Sequence, residues 1–196
     1  MKAPYELGQY FTRNTELREK VYSFILNKPS RILEPSIGRG DLINYVREKD
    51  NSIKFDMYEI DDTINILNKY ISRDKVIFGD FLEQPIKTKY KTIIGNPPYK
   101  RMKTKTGNLY IDFVSRCYDL LEVGGELVFI IPKIFFKKKS AEDLLNNMKN
   151  NGSFTHTYHP DNKHLFEGAT VDVIVFRYCK GGNKVKKSIK NVVCDT

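Results

Sequence analysis

"RILEPSIGRGDLI", Arg31 to Ile43, holds the change of pattern on which the fold turns. A short apolar run closes at Pro35, two glycines follow, and a helical pattern opens at Asp41. This is a strand, a glycine-bearing turn and a helix. Gly38 and Gly40 let the backbone turn sharply and come close to a ligand. A full dinucleotide fingerprint has a third glycine at position 43, where this chain carries Ile43. The G-x-G pair therefore reads either as a cofactor turn or as a purely structural one.

The same alternation continues outward on both sides. Upstream, "TELREKVYSFIL" puts Leu17, Val21, Phe24 and Ile25 on one helical face. Downstream, "IKFDMYEI" predicts a second strand, "TINILNKYI" a helix, "KVIFGD" a third strand and "KTIIGN" a fourth. "NLYIDFVSRCYDLL" repeats apolar residues at helical spacing and stops at Gly124-Gly125, which suits a helix C-cap. "ELVFIIP" is apolar nearly throughout and predicts a central strand. "AEDLLNNMKNN" predicts a helix, and "SFTHTYH" with "TVDVIVFRY" an antiparallel strand pair. Strands alternating with helices predict a doubly wound, mostly parallel α/β sheet with that pair at one edge. There is no internal repeat, and the pattern fades after Tyr178.

Three strand ends carry side chains suited to a ligand. Glu59 ends the second strand about 20 residues after the glycine turn, where an acid can bind both ribose hydroxyls. Asp80 ends the third strand and can accept from an adenine amino group, with Phe81 able to stack on the ring. Each acid alone reads equally as a surface group or a turn former. The fourth strand runs into "GNPPY". Pro97 and Pro98 donate no backbone hydrogen bond and fix φ, so Asn96 and Tyr99 sit on a stiff turn at the sheet's carboxyl edge.

The chain has 196 residues, 40% of them hydrophobic, which suits one domain with a full core. Its net charge is +9, from 33 Lys and Arg against 24 Asp and Glu. Basic clusters at Lys100, Arg101 and Lys103, and at Lys137, Lys138 and Lys139, follow two of the expected strand ends. They read as a solvated surface or as a groove for nucleic acid, and their position favours the second. Cys117, Cys179 and Cys194 form no disulfide framework or zinc spacing. "MKAPYELGQY" lacks the apolar stretch of a signal peptide, and no run is long enough to span a bilayer. A reduced, intracellular protein is expected, with no membrane association. His156, His159 and His164 have no carboxylate at a ligating spacing, so no metal is expected.

With these residues assembled, the chain resembles the S-adenosylmethionine-dependent N6-adenine DNA methyltransferases of the gamma-ordered class. The resemblance runs along nearly the whole chain and implies a Rossmann-like methyltransferase fold. "GQYFT", with Tyr10 and Thr12, resembles the motif that closes over the methionine end of the cofactor. "LEPSIGRGDL" resembles the glycine loop, with Glu34 near the methionine moiety. "YEID" implies Glu59 on the ribose and Ile60 against the adenine, and "GDFL" implies Asp80 on the adenine. "GNPPY" resembles the catalytic motif, Asn96 to Tyr99, with Asn96 also beside the cofactor. "HLFEGATVDVIVF" resembles the late motif whose aromatic, here Phe166, packs on the flipped base. "GNPPY" is specific to amino-group methylation but not to DNA, and "GQYFT" favours the DNA adenine enzymes.

The resemblance implies one catalytic domain over residues 1–180 and a basic tail over 181–196. Enzymes of this class carry a target-recognition region after the late motif, and here only the tail follows. A fragment, or a subunit that borrows recognition from a partner or a further C-terminal domain, is therefore expected. In the chemistry so implied, the Asn96 side-chain oxygen and the Pro97 carbonyl accept from the adenine amino group. Tyr99 and Phe166 offer aromatic faces to a base flipped out of the duplex. The sulfonium is already activated and calls for no metal. An RNA adenine methyltransferase, a protein glutamine methyltransferase and a non-catalytic cofactor-binding subunit remain alternatives.

Overall fold

The structure is a computed structural model that describes residues 10–67, 69–101, 106–161, 165–166 and 170–181. Eleven regular elements follow in chain order among them. They are α1 (Thr15–Ser23), β1 (Arg31–Glu34), α2 (Asp41–Lys49), β2 (Lys54–Glu59), β3 (Val76–Phe78) and β4 (Tyr90–Gly95). Then come α3 (Leu109–Leu120), β5 (Leu121–Pro132), α4 (Glu142–Asn150), β6 (Gly152–Tyr158) and β7 (Val173–Lys180).

The strands form one seven-stranded sheet in the order β3-β2-β1-β4-β5-β7-β6. The first five are parallel, and β7 runs antiparallel to both β5 and β6. This is the mostly parallel, Rossmann-like sheet with the expected antiparallel pair at its edge. From β1 the chain winds outward to β2 and β3, then returns to lay β4 on the other side of β1. That reversal opens a crevice at the carboxyl ends of β1 and β4, where such sheets take ligands.

Alternating side chains divide the core between the two faces. Leu33, Ile93, Leu127, Phe129 and Ile131 pack under α3 and α4. Ile32, Ile94, Val128 and Ile130 pack under α1 and α2. Residues 127–131 of β5 are all fully buried, which is why that strand reads as an unbroken apolar run. Asn14 starts α1 by accepting from Leu17 N at 3.1 Å, a side-chain N-cap.

Two elements differ from expectation. The stretch 63–71 forms no helix among its described residues. Ile64, Ile66 and Ile71 are buried, a spacing that no single helical face provides. Its backbone groups go to α2 and its flanks instead. Leu67 N donates to Arg39 O at 2.8 Å, and Tyr70 N to the Asn44 side chain at 3.2 Å. Arg73 Nη1 donates to Ile64 O at 3.0 Å. The Gly124-Gly125 pair does not cap α3, which ends at Leu120. It serves an irregularity in β5, between the pairs Tyr90–Leu121 and Thr92–Glu126. Gly124 takes φ +80°, and a Cβ on Gly125 would stand 2.9 Å from two carbonyl oxygens.

Candidate cofactor and catalytic site

A cavity of about 350 Å³ opens at the carboxyl edge beside the β1/β4 reversal. Tyr10, Thr12, Glu34, Gly38, Glu59, Ile60, Asp80, Phe81 and Asn96 all line it. Gly40, expected with them, does not. It is the left-handed N-cap of α2 at φ 84°, and a Cβ there would fall 2.1 Å from Ile71 Cδ1. Gly40 is thus a packing glycine. Arg39, Asp41, Leu109 and Phe113 also line the cavity and were not anticipated. Leu109 and Phe113 belong to the apolar face of α3 and Asp41 to the first turn of α2, so each of these reads from sequence as ordinary helix.

Glu59 is 4% exposed, and its carboxylate is fixed by three backbone groups. Gly38 N donates to Oε2 at 2.8 Å, and Ile60 N and Asp61 N to Oε1 at 3.0 Å. An ionised carboxylate offers about four lone-pair sites, so capacity remains for a ligand hydroxyl. Burial nevertheless raises its pKa, against those three bonds. Ile60 beside it is 58% exposed at the cavity wall, an apolar surface that a flat ring could cover. Asp80 is exposed and spends Oδ1 on Leu82 N at 2.9 Å, capping the short turn Phe81–Glu83. Phe81 is 2% exposed and stacks on Phe113 with centroids 5.4 Å apart. It is therefore mainly a core ring that shows an edge to the cavity.

Glu34 is almost fully buried, and desolvation lifts its pKa from 4.5 to about 8, against one bond from Ser36 N at 3.1 Å. The sign of its pH dependence follows. Below 4.5 the folded and unfolded chains both hold the proton. Above it the unfolded chain ionises first, so stability falls as pH rises toward about 8. Urea unfolding across that range should show a flatter decline in Glu34→Gln than in the parent. An equal slope would mean that Glu34 is ionised in the folded protein.

Asn96 stands at the end of β4, and both ends of its amide are engaged. Nδ2 donates to Tyr10 O at 2.7 Å and to Thr12 Oγ1 at 3.1 Å. Oδ1 accepts from the Tyr99 hydroxyl, which also lies 3.1 Å from Ile130 O. The network fixes which end of the amide is which. Burial, with Tyr10 adding to it, raises the Tyr99 pKa well above its ordinary value, so the phenol keeps its proton. Tyr99 is thus more than the aromatic face read from sequence: its hydroxyl orients Asn96. Pro97 is buried, and Pro98 lines the cavity.

Tyr99 and Phe166 come together, but as an edge-to-face pair at 6.1 Å and 81° rather than as parallel walls. Phe166 is 5% exposed. Lys100 lines the cavity, Arg101 is exposed, and Lys137 and Lys138 follow the end of β5 on the same edge. Lys103, His164, residues 8–9 of the N-terminal motif and the tail from 182 lie outside the described residues. His156 packs against Phe24, and His159 pairs with Asp172 at 2.5 Å. Among the described residues no cluster of His, Cys, Asp or Glu could hold a metal, and no helix is long and apolar enough to cross a membrane.

This fold is that of the class I S-adenosylmethionine-dependent methyltransferases. The chain belongs to the Eco57I restriction-modification methylase family, whose pattern matches residues 22–166. It is similar to the type II methyltransferase M.HincII of Haemophilus influenzae, at 32% identity over 95% of this chain and 40% of that protein. Among solved structures it is similar to the type I restriction enzyme EcoKI M protein, with TM-score 0.73, 16% identity, and 90% of this chain against 45% of that one. A class I methyltransferase from Listeria monocytogenes matches with TM-score 0.66 and 14% identity, over 87% of this chain and 60% of that one. The chain spans about two fifths of the length of the curated relatives it matches first.

S-adenosylmethionine is the cofactor this family implies, and the buried, bonded Glu59 beside an exposed Ile60 fits an adenosine. Losing a hydrogen bond to a charged group costs about 1.5–3 kcal/mol, roughly 10- to 150-fold in affinity. Calorimetry on Glu59→Ala should show a loss of S-adenosylhomocysteine affinity of that order. Parent-like affinity would take the ribose off Glu59.

Proposed function

We propose that this chain is the catalytic part of an N6-adenine DNA methyltransferase. The observation that carries the reading is Asn96, an amide locked in orientation between the cavity and an aromatic cluster. S-adenosylmethionine, when bound, supplies a methyl group already activated by its sulfonium. Glu59 and Asp80 hold the adenosine, and Tyr10, Thr12 and Glu34 border the methionine end. Asn96 Oδ1 and the Pro97 carbonyl accept the two hydrogens of the target amino group, which leaves its lone pair free to react. The proline turn and the Tyr99 hydroxyl fix those acceptors beforehand, so little reorganisation is needed as charge develops. A base within a duplex cannot reach this site, so the target is flipped out. Tyr99 and Phe166 then supply stacking worth roughly 1–3 kcal/mol per base.

Arg101, Lys137 and Lys138, on the same edge as Asn96, favour a nucleic acid, and membership of a restriction-modification methylase family favours DNA. Target recognition comes from a partner subunit or from sequence outside the matched two fifths of the relatives. Labelled methyl transfer to DNA, RNA and protein, with any recognition partner present, tests the polymer. DNA should be labelled, and label confined to RNA or protein would overturn the reading. DNA retention should also fall steeply with salt. Lys137→Ala/Lys138→Ala should flatten that slope, and an unchanged slope would remove both lysines from the groove.

A further inference from the structure

Three rings meet at the end of β4. The Tyr10 ring stacks on Tyr99 with centroids 4.9 Å apart and planes 26° apart. It also stands edge-on to Phe166 at 5.4 Å. Tyr99 and Phe166 are themselves only 6.1 Å apart and nearly perpendicular. A base held between two parallel rings needs about 7–8 Å between them, twice an ordinary carbon contact. One face of Tyr99 is thus already covered by a ring of this chain, and a base stacking there would have to displace it.

Tyr10 is held unevenly. Its carbonyl is pinned by Asn96 Nδ2 at 2.7 Å, whereas its side chain is half-buried and held by ring contacts, with no side-chain hydrogen bond among the described residues. A rotation at χ1 can withdraw the ring without moving that carbonyl.

We propose that the Tyr10 ring is a stand-in for the target base, stacked on Tyr99 while the site is empty and displaced when a base enters. This rests on the reading of Tyr99 as the stacking residue. Entry then exchanges one stacked ring for another, so Tyr99 keeps a dry face throughout and a base must outcompete Tyr10 to be held. Tyr10 also lines the cofactor cavity, so its departure alters the wall that closes the methionine end.

Calorimetry with 2′-deoxyadenosine, on protein saturated with S-adenosylhomocysteine, measures the competition. Aromatic pairs contribute modestly beyond their burial, so Tyr10→Ala should bind the nucleoside roughly three- to tenfold more tightly than the parent. Tyr10→Ala/Tyr99→Ala should lose that gain. Unchanged or weaker binding in Tyr10→Ala overturns the proposal. A gain that survives in the double variant overturns both the proposal and the stacking role of Tyr99. An equal gain for thymidine supports the exchange of rings while removing adenine from the functional reading. The parent protein gives an independent test by proton NMR. The Tyr10–Tyr99 ring contact should disappear as deoxyadenosine saturates the site, and its persistence at saturation overturns the proposal.

Discussion

An Asn96→Ala protein is expected to methylate DNA about 10²–10³ times more slowly than the parent, the loss typical of one preorganised charge-stabilising group. S-adenosylhomocysteine affinity should change little. The two effects separate because Asn96 acts on both sides of its amide. Its nitrogen holds Tyr10 O and Thr12 Oγ1, two groups at the cavity wall, and a neutral hydrogen bond contributes about 1 kcal/mol. In the proposed reaction its oxygen serves the reacting amino group, so its removal should be felt in the transition state rather than in cofactor binding. Asn96→Asp keeps the shape but sets a carboxylate against the Tyr10 carbonyl, and should weaken the cofactor more than Ala does. Single-turnover rates on DNA, with any recognition partner present, and calorimetry on the same proteins measure both halves. A parent-like rate in Asn96→Ala would make this turn structural.

The largest stability effect is expected at the opposite edge of the sheet. Glu126 is fully buried and Arg177 nearly so, and Arg177 Nε donates to Glu126 Oε2 at 2.7 Å. The same carboxylate accepts from Thr92 Oγ1 at 2.9 Å and from Leu26 N and Asn27 N at 3.1 and 3.0 Å. One acid thus ties β4, β5 and β7 to the segment that leaves α1. Glu126→Ala strands a buried guanidinium and three further donors, and breaking such a pair costs about 3–5 kcal/mol. Urea unfolding should show a midpoint lowered accordingly, with no change in m. Glu126→Met/Arg177→Met removes both charges and should recover the part of the loss that comes from the stranded guanidinium, while Thr92 Oγ1, Leu26 N and Asn27 N stay without their acceptor. A Glu126→Ala protein as stable as the parent would mean that water reaches the pair.

The sheet was legible in the sequence because its strands are short apolar runs closed by Pro, Gly or an acid. Glu59, Asp80 and Asn96 were legible for the same reason, since each ends a strand on one edge. The helical pattern of 63–71 misleads because its isoleucines join the core beside α2 while Asn44 bonds its backbone, contacts that local periodicity does not carry. Glu126 and Arg177 look like ordinary residues of two strands, and only the β5–β7 pairing brings them together. Gly40 carries no sequence signal that separates a left-handed turn beside a ligand from one packed on Ile71, since both need the same residue. The Tyr10 ring on Tyr99 joins residues far apart in the chain and has no local signal.

The central claim concerns one atom, the exocyclic nitrogen of adenine. The measurement is mass spectrometry of nucleosides from DNA incubated with the protein, its recognition partner where one is needed, and S-adenosylmethionine carrying a heavy methyl group. The account predicts N6-methyldeoxyadenosine bearing the heavy methyl, formed at an initial rate about 10²–10³ times lower when Asn96 is replaced by Ala. Heavy methyl on cytosine alone, or equal labelling by the Asn96→Ala protein, would contradict it.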